Sequence, residues 1–463
     1  MWAASEFAQG LADFHKRNGK SVVKAAELIY QQMGRSFSAA LGKSFRQAVA
    51  GIFSKPLMNT DKMLEGHVKA TLERCKDTTG QVVIVSQDSV LYNFTTHQAM
   101  QGLGPLQGKL KGTIQHNVLA CNEQGVPLGL LYQRNWTRGG LNALDNESDK
   151  WLLGLQAVNE HLSGLSKRVV LVQDREADVW SFFKAKRAPN VDLLVRVHQP
   201  RKIEIMAGPE PTERQVLPLE QAAGHLPVVG EMRVQIERHN RPVQLTLQVS
   251  AAAVAVLPPK DLSAKKHKAQ DLYLVVAREV AALDAKAENV FDPRHAAQWL
   301  LLTSYPVKQA SDAFQVVRFY ALRWRIERLH YVLKSGGLQV ERLQFDDIAT
   351  LFNALAFYSI IAWRVLYLTY LARQDEQLPA HHYFDKVELQ LLKASNQKAN
   401  PKPADDKALT TLSQAVVALG RLVNFQPTTK QPLPGVKVLA QALVKLHHMR
   451  EAILIWQNLS LQD

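Results

Sequence analysis

The residues with most chemistry to offer lie in one stretch, Arg318 to Arg342 (RFYALRWRIERLHYVLKSGGLQVER). Apolar residues recur there at helical spacing and Gly336-Gly337 supplies a stop, which predicts an α-helix over Arg318–Ser335. At roughly 100° per residue, Tyr320, Arg323, Glu327, His330 and Lys334 fall on one face within about a quarter turn. Leu322, Ile326, Leu329 and Leu333 fall opposite, so one face is built to be buried and the other presents a carboxylate among cations and a phenol. Salt-bridged helix faces are common, and that reading alone would explain a paired Glu327. Yet Arg318, Arg323, Arg325, Arg328, Lys334 and Arg342 face only Glu327 and Glu341. Two acids cannot satisfy six bases, and an external polyanion is their natural complement. A carboxylate within a phosphate-binding face suits metal-dependent phosphoryl transfer.

Such chemistry needs more than one carboxylate. Two apolar runs, QVVIVSQDS (81–89) and RVVLVQDREAD (168–178), each end in Gln-Asp. Both read as buried strands carrying Asp88 and Asp174 at their ends. An aspartate at a strand end is as often a turn or helix cap; two of them together with Glu327 are harder to read that way. If the three carboxylates converge they can hold two divalent ions, and hard oxygen ligands suit Mg²⁺ or Mn²⁺. Glu176 and Asp178, close behind Asp174, take supporting or surface roles in this reading. His330 is a phosphate or structural contact, because a hard two-metal site prefers oxygen.

The elements between these residues follow a recognisable order. Residues 116–136 read as a hairpin about Asn122-Glu123-Gln124-Gly125, and DNESDKWLLGLQAVNEHLSGL (145–165) as a capped helix. Strand with Asp, hairpin, helix, strand with Asp is the order of an RNase H-like α/β core. Asp174 and Glu327 are too far apart for a single connection, and residues 191–285 supply a β-rich insertion. AAQWLLLTSYPV (296–307) returns as a core strand before the signature helix. The loop DLSAKKHKAQD (261–271) is basic and touches DNA or is solvated. Residues 1–77 read as helices with Asn59 or Thr60 as one N-cap, and residues 343–463 as helices with a linker, SNQKANPKPADD, at 395–406. The domains expected are therefore 1–77, a catalytic domain over 78–342 with its insertion at 191–285, and 343–463.

Composition agrees with a nucleic-acid partner. The chain has 463 residues, a net charge of +14 and 46% apolar residues, with a pI near 9.6. Cys75 and Cys121 have no metal-site spacing, which fits a reducing cytosol. No signal peptide is evident at the N-terminus, and the apolar stretch Leu351–Leu371 carries Asn353 and Arg364, so a buried helix is expected rather than a membrane span.

The spacing Tyr320-x2-Arg323-x3-Glu327-x6-Lys334 resembles the Y-R-E-K signature of bacterial insertion-sequence DDE transposases of the insertion-sequence-four family. QDREAD resembles that family's motif around its second catalytic aspartate, and SQDSVLYNFTTH resembles the first more loosely. The resemblance spans roughly residues 12–370. It implies a fold with an RNase H-like core, a β insertion and flanking helical domains. It implies that Asp88, Asp174 and Glu327 are catalytic and bind two Mg²⁺ or Mn²⁺, with Asp88 bridging, and that Tyr320, Arg323 and Lys334 grip phosphates. Arg196 stands where such enzymes hold a DNA-contacting arginine. Trp299 stands where an aromatic stacks near the cleaved end, although a core tryptophan fits equally. Lys16, Arg17 and Lys20 stand where the end-reading domain begins, and a solvated helix fits them as well. The implied activity is cut-and-paste transposition: a homodimer in a synaptic complex acts on the terminal inverted repeats and target DNA, through a hairpin intermediate, in the cytoplasm on nucleoid DNA. An idle DNA-binding relative acting as an inhibitor, and an RNase H-like nuclease without strand transfer, are the competing readings. A basic protein binding nucleic acid non-specifically is the plainest.

Overall fold

A computed structural model describes residues 2–206, 214–238, 241–260, 267–374, 377–399, 409–429 and 431–459. In chain order the elements are α1 (Trp2–Phe7), α2 (Lys16–Gln31), α3 (Phe37–Leu41), α4 (Lys43–Phe53), α5 (Thr60–Asp77), β1 (Val82–Asn93), β2 (Gly104–Pro105), β3 (Lys111–Asn122), β4 (Pro127–Trp136), α6 (Asp149–Leu162), β5 (Arg168–Gln173), α7 (Trp180–Phe183) and β6 (Val191–Arg196). They continue with β7 (Lys202–Met206), β8 (Arg214–Pro218), α8 (Leu219–His225), β9 (Val228–Arg238), β10 (Arg241–Val256), β11 (Gln270–Leu283), β12 (Gln298–Thr303), α9 (Ala310–Leu322), α10 (Trp324–Lys334), α11 (Ile348–Leu371), α12 (Lys386–Ala399), α13 (Leu412–Arg421) and α14 (Val436–Leu459). The fold is mixed α/β.

The chain forms two compact units: one of residues 1–77, 89–144 and 325–463, the other of residues 78–88 and 145–324. The sequence instead suggests divisions at 77/78, 190/191, 285/286 and 342/343. The difference has a simple origin. Contacts group residues by what they pack against, and β1 and the α9–α10 segment each run from one unit into the other.

In the first unit, α11 is the central helix, packed by α2, α4, α5, α14 and β4. It is long and apolar enough to cross a membrane, with mean hydropathy 1.5, but 94% of its apolar window is buried within the protein. Its two polar interruptions are used in that packing. Asn353 Nδ2 donates to the carbonyls of Phe53 (2.8 Å) and Met58 (3.1 Å), and the Arg364 guanidinium lies over the Trp2 and Tyr383 rings. Strands β3 and β4 form the antiparallel hairpin expected around Asn122–Gly125, and β3 lies between β1 and β2. Asn59 Oδ1 accepts from the Lys62 backbone N–H and caps α5.

In the second unit the strands run in the order β1-β5-β6-β12-β11-β10-β7-β8, with β9 on β10. β1, β5 and β6 are parallel; β12, β11 and β10 continue antiparallel. Val191–Arg196 was expected to open the insertion. Instead it pairs parallel with β5 as β6, so the β-rich excursion begins only at β7. Its apolar run VDLLV is buried on both faces, which is what a strand between β5 and β12 requires. The helix α9 covers one face of this sheet, closing a core of Ile84, Val170, Val172, Leu247, Val275, Leu301, Val316 and Phe319 among others.

Three further expectations change. β1 does not stop at Asp88: Val90 and Tyr92 resume the buried alternation after Ser-Gln-Asp-Ser, and the strand continues to Asn93. The signature helix begins at Ala310, capped by Gln309 and Asp312, and is interrupted at Arg323. Positions 395–399 of the 395–406 linker are helical, in α12; positions 400–406 lie outside the described residues, as do 261–266 of the basic loop.

Candidate active site

The second unit assembles much of the chemistry. The parallel ladder of β1 and β5 pairs Val82 with Arg168 and runs to Ser86 with Val172. Asp88 and Asp174 each lie two residues beyond that last pair, Asp88 still within β1 and Asp174 just past the end of β5. The carboxylates therefore stand side by side because two apolar runs of equal phase pair in parallel. Asp174 ends its strand and caps the 3₁₀ turn Arg175–Ala177, its Oδ1 accepting from the Arg175 N–H at 2.6 Å.

Arg323 faces both carboxylates. Its Nη1 lies 3.7 Å from Asp88 Oδ2 and its Nη2 3.8 Å from Asp174 Oδ2. The guanidinium is buried, whereas the aspartates keep about a quarter of their side chains in solvent (24% and 29%). Two anions on neighbouring strands repel, and one delocalised cation offsets both. Tyr320 lies one turn before Arg323. Burial pushes its phenol above the ordinary range despite Arg323 nearby, so it stays a neutral hydrogen-bonding group. Arg196, whose charge acts on this phenol in the same direction as that of Arg323, donates from Nη2 to the Gln298 carbonyl at 3.5 Å. Trp299 is only 8% exposed and meets Tyr320 edge-on at 5.1 Å, so in this structure its ring is a core element.

Behind Asp88, Gln87 is fully buried against α6. A Cβ on Gly154 would stand 2.0 Å from Gln87 Oε1. Gly154→Ala is expected to cost about 1–3 kcal/mol by overpacking, measured by urea unfolding, and to disturb the residue next to Asp88. An unchanged midpoint would mean that Gln87 yields freely.

The remaining predicted residues belong to the first unit. Glu327 lies in the first turn of α10 and is partly exposed. His330 is buried and shares a hydrogen bond with Asn117 Nδ2 at 3.1 Å, a structural contact. Lys334 donates to the Leu91 carbonyl at 3.0 Å and pairs with Glu341 at 3.3 Å. Arg325 donates to the Gly125 carbonyl and lies 4.0 Å over the Tyr370 ring. The face expected to be open is thus largely engaged: Tyr320, Arg323 and His330 are buried. The excess of bases is smaller than a count suggests, since backbone carbonyls and rings also satisfy them. Lys16, Arg17 and Lys20 are exposed at the start of α2.

Asp88, within β1, and Asp174, just past the end of β5, supply hard oxygens beside a compensating cation, which fits Mg²⁺ or Mn²⁺. Among the described residues, no group of three His, Cys, Asp or Glu side chains is arranged to hold a metal. Sequence reasoning undervalued Asp178, which is buried rather than superficial. Its only local signal is its place four residues after Asp174.

Residues 154–363 match the model of the family described as the transposase DDE domain. The match takes in Asp174, Arg196, Trp299, Tyr320, Arg323, Glu327 and Lys334 and leaves Asp88 outside. Among solved structures the chain is similar to a piggyBac transposase in a synaptic complex with hairpin DNA. The TM-score there is 0.36 and the identity 9%, over 94% of this chain and 84% of that one; a likeness so weak supports no conclusion.

Proposed function

We propose that this protein is a DDE-type DNA transposase that cleaves at the terminal inverted repeats of an insertion sequence and joins the 3′ ends to target DNA. The observation that carries the reading is the pair Asp88 and Asp174, each two residues beyond the last pair of the parallel β1–β5 ladder, with Arg323 against both. The match to the transposase DDE domain supports it from an independent side. The strand order β4-β3-β1 in one unit and β1-β5-β6 in the other supports an RNase H-like core.

Asp88 and Asp174 are the first metal ligands in this reading, and Glu327 is the third carboxylate. Bound Mg²⁺ or Mn²⁺, two per site, supplies an activated water or 3′-hydroxyl and stabilises the leaving oxygen. Arg323 stays beside the carboxylates and takes the charge of the scissile phosphate, as its fork of donors suits. Tyr320, neutral at working pH, offers a hydrogen bond without repelling phosphate. Arg196 and Lys334 contact the DNA backbone, and Lys16, Arg17 and Lys20 meet DNA at the repeat. The active form is a homodimer in a synaptic complex, and cleavage passes through a DNA hairpin.

Arg196→Ala is expected to weaken binding of end DNA across sequences and to reduce the salt slope of log K by about one, as loss of one phosphate contact does; fluorescence anisotropy at several salt concentrations measures it, and an unchanged slope removes Arg196 from the interface. The function itself is tested by incubating linear DNA bearing the element's repeats with Mg²⁺. Cuts at the repeat ends, hairpinned products and strand transfer are expected. End binding without cleavage points to an idle relative, and cleavage without joining points to a nuclease.

A further inference from the structure

The ladder between β5 and β6 ends at Gln173 and Val195. One further step in that register sets Asp174, just past the end of β5, opposite Arg196, the last residue of β6, which still pairs with Leu301 of β12. A buried ion pair ties the two segments just beyond that point. Asp178 Oδ2 accepts from the backbone N–H groups of His198 (2.7 Å) and Gln199 (2.6 Å), and Oδ1 accepts from Arg201 Nε at 2.5 Å. Arg201 Nη2 donates back to the Asp178 carbonyl at 2.8 Å. Asp178 is 1% exposed and Arg201 7%. The guanidinium is seated 4.9 Å over the Phe183 ring, and the Arg201 carbonyl accepts from Leu219 N–H at the start of α8.

The turn is short on both sides of this lock. Ala177 N–H donates to the Asp174 carbonyl at 3.0 Å, and Asp178 N–H to that of Arg175 at 3.2 Å. On the other strand, Val197 N–H donates to the Leu300 carbonyl at 2.8 Å, next to Trp299. One carboxylate therefore stands in for the ladder where the ladder stops. Buried charges with all their bonds made are costly to break and permit few alternative arrangements.

We propose that Asp178 and Arg201 are positioning residues that fix the spacing between Asp174, a metal ligand, and Arg196, a phosphate contact. This inference rests on the transposase reading for those two roles. The clamp itself stands on the geometry alone.

Hydrogen–deuterium exchange on the full chain tests the clamp. In Asp178→Asn the side-chain amide turns N–H groups toward the donors of His198, Gln199 and Arg201. In Arg201→Lys the charge remains but the forked grip is lost. In either variant, exchange at 175–180 and at 197–201 is expected to accelerate together, by about 100-fold at His198 and Gln199, while the centre of β5 keeps its protection. Intact rates in either segment, in a variant that folds, overturn the clamp.

Cleavage of end DNA then tests positioning. Asp178→Asn is expected to lose no more end affinity than Arg196→Ala and to cut at least about tenfold more slowly with Mg²⁺, which demands near-ideal octahedral geometry. With the more tolerant Mn²⁺ the rate is expected to return to within about threefold of the intact protein. An equal loss in both metals, matching the fraction unfolded, overturns positioning. If the intact protein cuts nothing in either metal, the transposase reading fails, and the exchange data still decide the clamp.

Discussion

Asp174→Ala is expected to abolish Mg²⁺-dependent cleavage of end DNA, lowering the rate by about 10³-fold or more, with Asp88→Ala equivalent. A factor of 10³ corresponds to about 4 kcal/mol of transition-state stabilisation, within what a metal-held phosphoryl group loses when a ligand is removed. The effect is separable from folding. Both aspartates are about a quarter exposed and stand 3.7–3.8 Å from Arg323, so their contribution to stability is modest. The thermal midpoint should move little while activity disappears. Glu327→Gln should do the same if Glu327 is the third carboxylate. A folded variant of either aspartate that keeps more than about a tenth of the intact rate would remove the metal-pair reading.

The largest effect on stability is expected in the other unit, at Glu6. Its carboxylate is 3% exposed. It accepts from Arg74 Nη1 at 2.8 Å and Nη2 at 3.1 Å, and lies 2.6 Å from His67 Nδ1. His67 Nε2 accepts from the Leu130 N–H at 2.9 Å. That nitrogen is therefore unprotonated, and the ring is the neutral tautomer donating from Nδ1 to Glu6. Arg74 carries the opposing charge, with its Nε on the Leu128 carbonyl and its plane 4.2 Å over Trp363. Glu6→Ala leaves this arginine and histidine without their acceptor. The expected loss is about 3–5 kcal/mol, measured by urea unfolding at pH 7.

The same cluster sets a pH dependence. Burial alone would raise the Glu6 carboxyl, but the His67 and Arg74 bonds outweigh it and hold it at about 2, against an ordinary 4.5. A depressed carboxylate contributes stability that is present above pH 4.5 and is lost as pH falls toward 2. On the full shift this is about 3 kcal/mol. Burial also lowers the His67 pKa. The unfolded chain then takes a proton at His67 more readily than the native one, and stability begins to fall below about pH 6.5. Both groups act in one direction. Unfolding free energy should decline from pH 7 to pH 3, and Glu6→Gln should flatten the lower half of that decline. An unflattened curve would place the acid sensitivity elsewhere.

What the amino-acid order alone determined is what depends on neighbours in sequence. VVIVS and RVVLVQ are runs of β-branched residues and become strands; Asn122–Gly125 makes a hairpin turn; the Tyr320, Arg323, Glu327 and Lys334 spacing is a helical period. Those patterns named Asp88 and Asp174 as carboxylates on strands of the same kind. Only the tertiary structure decided which strands pair and in what register, and hence that Asp88 stands beside Asp174 with Arg323 against both. It decided too that Val191–Arg196 joins the parallel strands, since a doubly buried run reads alike in a core and in an insertion. Burial of Arg323 and His330 was invisible because their partners, Asp88 and Asp174 for one and Asn117 for the other, lie far away in the chain. Asp178 with Arg201, and Glu6 with His67 and Arg74, were hidden for the same reason. A local period specifies which residues share a face, but a buried polar group is explained only by the acceptor or donor that folding brings to it.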